Sequence, residues 1–174
     1  MFRAIAALAL ASASAHSAAA LTSTAPWWER VTVLVADDGQ ARSCRYESSL
    51  QPAAGKDCTV ENAQASAAKQ AGGPAKNEFT RITFERRFSL GAKPDMALQP
   101  GETLLGGRVM SLAIDARGAV KDCHVIATSG AVTPQYTCAD ISAERFEASA
   151  GASSTAPREG YMSIIVYGHS EHAV

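Results

Sequence analysis

Large apolar residues recur at every second position in several short stretches of the chain, the period of a strand that buries one face. Val31-Thr32-Val33-Leu34-Val35 and Met110-Ser111-Leu112-Ala113-Ile114 each put three such side chains on one face. Ile82, Phe84, Phe88 and Leu90 alternate with Thr83, Glu85, Arg87 and Ser89, and residues 161–167 alternate less cleanly. Asp38-Gly39 follows the first stretch as a hairpin signal, and Arg117-Gly118 follows the second as a weaker one, because glycine accepts the positive φ such turns need. Return strands are expected over 42–48 and 120–128, with Cys44 and Tyr46, or Cys123 and Val125, toward the core. Helices are expected over 58–70, ended by Gly72-Gly73-Pro74, and over 134–146, with Pro134 in the first turn and Gly151 past the end.

These elements fall into an internal repeat. Val31, Val33 and Val35 precede Gly39 by the spacings at which Met110, Leu112 and Ile114 precede Gly118. Cys44 and Cys123 each follow their glycine by five residues, Tyr46 and Val125 match two further on, and Cys58 and Cys138 close the two segments. A divergent duplication accounts for so many aligned features. The expected fold class is α+β, with two β-β-α-β repeats whose antiparallel sheet, or sheets, are each covered by a helix and stapled by a disulfide. The repeats span 27–91 and 107–174, joined by a linker over 92–106 that contains Pro94, Pro100 and Gly101.

Residues 1–20 stand apart. Arg3, a short apolar run and small residues follow the grammar of a secretory signal peptide, with cleavage after Ala15 or after Ala20. Loss of this segment removes one base and no acid, taking the formal charge from −1 to −2. With 19% charged residues and no basic stripe, nucleic-acid binding is disfavoured, and no mature stretch is apolar enough to span a membrane. Export to an oxidising compartment makes disulfides of the four cysteines. Four cysteines allow three pairings. Within the repeat, Cys44–Cys58 and Cys123–Cys138 would each tie a second strand to the start of a helix, closing loops worth about 3 kcal/mol apiece.

The segment from Gly107 to Gly168 resembles the C-terminal domain of TonB-family proteins. The residues that carry the resemblance are Ile114-Asp115-Ala116-Arg117-Gly118, Val120-Lys121-Asp122-Cys123-His124-Val125, Thr128-Ser129-Gly130, Arg145-Phe146-Glu147-Ala148 and the closing strand. The usual Leu-Asp before the helix is replaced by Val132-Thr133-Pro134, and the proline of a Pro-Ala pair is missing. The membrane helix and Pro-rich stalk of energy-transducing members have no counterpart here. The resemblance implies protein binding without chemistry or cofactor, by addition of a partner's strand to the last strand, Tyr161, Met162, Ser163, Ile164, Ile165, Val166 and Tyr167. It implies a periplasmic protein with a protein or peptide partner in the cell envelope, such as an outer-membrane receptor. If the two repeats form one continuous sheet, that edge is used up.

Other candidate chemistry is sparse. His124 is expected on the exposed face opposite Cys123. His169-Ser170-Glu171-His172 reads as a solvated tail rather than a metal site, and Asp37-Asp38 as turn residues. Neither a phosphate-cradling glycine loop nor a serine elbow is present. Of Trp27-Trp28, alternation lets one ring enter the core and leaves the other for a partner or the second repeat. Arg86, on the apolar face, is expected where its strand leaves the core. Two rival readings are a small secreted enzyme with a site between the repeats, using His124 or a linker acid, and a purely structural envelope component.

Overall fold

A computed structural model describes residues 22–37, 40–50, 56–58, 79–147 and 156–170. The expected signal peptide, first helix, Asp38-Gly39 turn and most of the C-terminal tail lie outside these residues. The described chain is mostly antiparallel sheet: β1 (Trp27–Val35), β2 (Ala41–Ser48), β3 (Lys56–Asp57), β4 (Arg81–Leu90), β5 (Glu102–Ile114), β6 (Val120–Gly130) and β7 (Arg158–His169). One short helix, α1 (Cys138–Ser142), is present among the described residues. The strands form a single seven-stranded sheet in the order β3-β2-β1-β4-β7-β5-β6.

Each half pairs in the same way. Val33 lies opposite Cys44 and Val31 opposite Tyr46, as Leu112 lies opposite Cys123 and Met110 opposite Val125. Even a register break recurs, between Leu34 and Val35 in one hairpin and between Ala113 and Ile114 in the other. The halves join through β4 and β7, which pair from Arg81↔His169 to Leu90↔Gly160. The disulfides are Cys44–Cys58 and Cys123–Cys138, and no cysteine is free.

Alternation sorts the sheet into two faces. On the disulfide face, Trp27, Phe88, Met110, Leu112, Ile114, Met162 and Ile164 form one core cluster with Ile141 of α1 and Phe146. Val33, Ile82, Phe84 and Val166 form a second. Trp27 is the tryptophan that enters the core, stacked on Phe88 at 5.9 Å, while Trp28 lies on the other face under the Arg30 guanidinium.

The opposite face is crossed by the connection between β4 and β5. Both strands run antiparallel to β7, so they are parallel to each other and the chain must travel back along the sheet between them. Residues 91–101 make that passage. Arg87, on this face, donates to the Asp95 carbonyl, and Met96 lies beside Gly107. Ser163, Ile165 and Tyr167 of β7 are buried on the same face. The expected linker 92–106 is therefore shorter than the sequence suggested, because β5 begins at Glu102.

Three other expectations change. The helix anticipated over 134–146 is confined to Cys138–Ser142. Before it, 131–137 runs over the sheet, Val132 donating its N–H to the Leu105 carbonyl. Asp140 accepts from both the N–H and the hydroxyl of Thr137, which fixes the helix start. After it, Glu144 turns toward Arg86, and the Phe146 N–H is donated to the Gly118 carbonyl at 2.8 Å while its ring packs on Phe88. Val125 is 47% exposed rather than core, because it sits on an edge strand beyond the reach of the packed elements. Arg86 does not mark the end of the apolar face; it lies mid-strand within it.

Gly118 adopts φ +80°, and a Cβ there would meet the Phe146 carbonyl oxygen at 1.8 Å. Gly118→Ala should therefore lower stability by about 2 kcal/mol or more in urea unfolding, since strain and collision act together. Non-reducing peptide mapping should recover Cys44–Cys58 and Cys123–Cys138 links and no crossed pair.

Candidate functional site

The strand singled out for partner binding is interior. β7 pairs with β4 on one side and with β5 on the other, so Tyr161, Met162, Ser163, Ile164, Ile165, Val166 and Tyr167 have no free edge. Strand addition there would require β4 or β5 to leave. Met162, Ser163, Ile164, Ile165, Val166 and Tyr167 are buried, and Tyr161 is partly so. The sheet's outer edges among the described residues belong to β3, two residues long, and β6, eleven residues long. β6 is exposed along most of its length and carries two exposed large apolar side chains, Val125 and Ile126. An edge strand of this length displays a row of unused backbone donors and acceptors, the template for pairing with another chain.

A polar row crosses the disulfide face at the middle of the sheet. By register it runs Ser48, Glu29, Arg86, Ile164, Arg108 and Thr128, with Ile164 the single apolar member. It separates the two core clusters. Arg86 bonds Glu29 through Nη2 at 2.6 Å and Nε at 3.0 Å, and Glu144 through Nη1 at 2.5 Å. Its Nη1 also reaches the Tyr136 hydroxyl at 3.0 Å, and that hydroxyl donates to Glu144. Tyr46 closes the other end by donating to Glu29 at 2.8 Å. The rings of Trp27 and Tyr136 lie 5.1 and 5.2 Å from the guanidinium carbon. Arg108 donates to the Tyr136 carbonyl at 2.9 Å, so one tyrosine joins both arginines.

The electrostatics follow from burial. Desolvation opposes the Arg86 charge, but Glu144 and Glu29 outweigh it and raise its hold on the proton. Burial, with Glu29 alongside, pushes the Tyr46 phenol up to about 12, and burial with Glu144 raises Tyr136. On the far face burial and a hydrogen bond to Glu85 raise Tyr167 likewise. This network joins β1, β2, β4 and the segment around α1. Its chemistry is mutual neutralisation, and its role here is positioning.

His124 is exposed, as alternation requires, and shares a hydrogen bond of 2.8 Å with Asp122. Both border a shallow open depression of about 280 Å³ with Ser111, Arg158 and Glu159. Serine, histidine and aspartate thus share a face, but the Ser111 hydroxyl has no hydrogen bond to His124, and a serine nucleophile needs that base. No three His, Cys, Asp or Glu side chains converge on a metal-sized site among the described residues. Likewise no described helix is long and apolar enough to cross a membrane. The polar row escaped sequence reasoning because its members come from separate strands. The one signal in the sequence is Arg86 on an apolar face, a position that by itself points only to where the strand leaves the core.

Arg86→Met should cost about 3–5 kcal/mol in chemical denaturation, because Glu29 and Glu144 are left part-buried without their cation. A second test is alkaline. Tyr46 is held neutral in the fold above its ordinary value of 10.0, so its contribution is complete below pH 10 and lost as the pH rises through about 12. Phenolate absorbance should show ionisation delayed in the folded protein, with Tyr46→Phe removing one of the delayed steps.

No family model, curated protein or solved structure matches the chain.

Proposed function

We propose that the protein is an exported, periplasmic, non-catalytic binding module that docks a protein partner of the cell envelope by strand addition. Two β-β-α-β repeats resembling the TonB C-terminal domain are the architecture this reading assumes. The shared pairing pattern, the recurrent register break and the equivalent disulfides of the two halves support it. The single observation that carries the docking reading is the outer edge of β6, long, exposed and unpaired within the sheet. Strand addition draws most of its affinity from main-chain hydrogen bonds, so it needs such an edge more than it needs a pocket. β7 serves a different purpose in this reading: its partner strand is β4, supplied by the same chain.

In-cell photocrosslinking distinguishes the edges. A photoreactive residue at Ile126 should capture a discrete protein, while one at Tyr161 on β7 should capture none. Capture from Tyr161 alone would move the docking strand to β7 and require the sheet to open. Absence of any adduct at both positions would favour a purely structural component.

A further inference from the structure

We infer that the strand taken by the β6 edge is the β6 of a second copy of this chain, paired antiparallel about a two-fold axis at Cys123. The inference rests on reading β6 as a docking edge and adds the identity of the partner.

Between register breaks at Lys121 and Ile126, β6 runs regularly over 122–125. A two-fold antiparallel pairing must set hydrogen-bonding positions against their own kind, so its axis passes through a residue and not between two. Centred on Asp122, the pairing opposes two carboxylates. Centred on His124, it opposes two imidazoles and leaves Asp122 against Ile126. Centred on Val125, it crosses the break and sets Asp122 against Thr128. Only the Cys123 register places Asp122 opposite His124 of the other copy, and symmetry makes that contact twice. It also lays the Lys121 stem along Val125, covering the most exposed large apolar side chain of the edge.

The groups involved are free to make the exchange. Asp122 and His124 are 57% and 70% exposed and hydrogen-bond each other across one intervening residue. The other Asp122 oxygen accepts the Cys123 N–H at 2.9 Å, which shows that this N–H points away from β5 toward the open edge. In the isolated chain the carboxylate thus caps the edge donor at the centre of the proposed axis. On pairing, that N–H passes to the facing main chain, and the carboxylate turns to the facing imidazole. Each polar group keeps a partner, so the exchange leaves no buried donor or acceptor unsatisfied.

Sedimentation of the disulfide-intact protein over a wide concentration range tests this directly. The wild type should dimerise reversibly. His124→Asp opposes like charges at two symmetric contacts and should weaken the dimer about tenfold or more. The double variant Asp122→His/His124→Asp restores the carboxylate–imidazole hydrogen bond in the same register and should recover the dimer. Both sites are exposed, so neither change burdens the core. A wild type that remains monomeric, or a double variant as weak as the single, would overturn the inference. If sedimentation shows a monomer while crosslinking from Ile126 captures another protein, the copy fails as partner and the docking edge stands. If neither method finds a partner, both readings fall.

Discussion

Pairing β4 with β7 makes one sheet of a four-stranded half, β3-β2-β1-β4, and a three-stranded half, β7-β5-β6, and the placement of every other surface depends on that join. Its register sets Arg86 opposite Ile164, with Phe84 opposite Val166 and Phe88 opposite Met162 on either side. The large apolar residues of each half thereby reach across the join and complete the other half's cluster. Phe88 belongs to the core beneath α1, whose strands are mostly β5 and β7, while Val166 belongs to the core of β1 and β4. A slip of one residue would turn the whole set to the opposite face, so burial on both sides specifies the join strongly.

The same register explains why a charged row can sit inside an apolar face. Arg86 lies where the two clusters meet, flanked by Glu29 on β1 and reached by Glu144 and Tyr136 from the segment around α1. A buried ion pair of this kind is weak ground for stability, since desolvation offsets much of the attraction. Its effect is to fix where the segment around α1 comes to rest. Glu144 and Phe146 are both committed to tertiary contacts, and the helix ends before them.

On the other face the constraint is topological. Because β4 and β5 both run against β7, residues 91–101 must cross the sheet, and in doing so they bury the polar side of β7. Glu85, 5% exposed, survives there by bonding Arg87 at 2.7 Å and the Tyr167 hydroxyl at 2.7 Å. The strand from which a free edge was expected is thus enclosed from both sides and covered on both faces. The free edge passes to β6, whose self-capped Asp122 and exposed Val125 are consequences of its outer position.

Period-two apolar patterns, the Gly118 turn, the cysteine pairing and the entry of only one ring of Trp27-Trp28 into the core are local properties, and the amino-acid sequence by itself determined them. A strand's face needs only alternation, a turn needs only a residue that tolerates positive φ, and a fourteen- or fifteen-residue cysteine separation recurring in equivalent places marks its own partners. The join of β4 to β7, the crossing of 91–101, the charged row around Arg86 and the short reach of α1 were decided only in the tertiary structure. Each depends on residues far apart in the chain meeting in one register, and no periodicity within a single segment records which strand will lie beside it. Whether an edge is open is the clearest case. The pattern of β7 and that of β6 both read as strands, and only the packing of two halves into one sheet closed the first and left the second exposed.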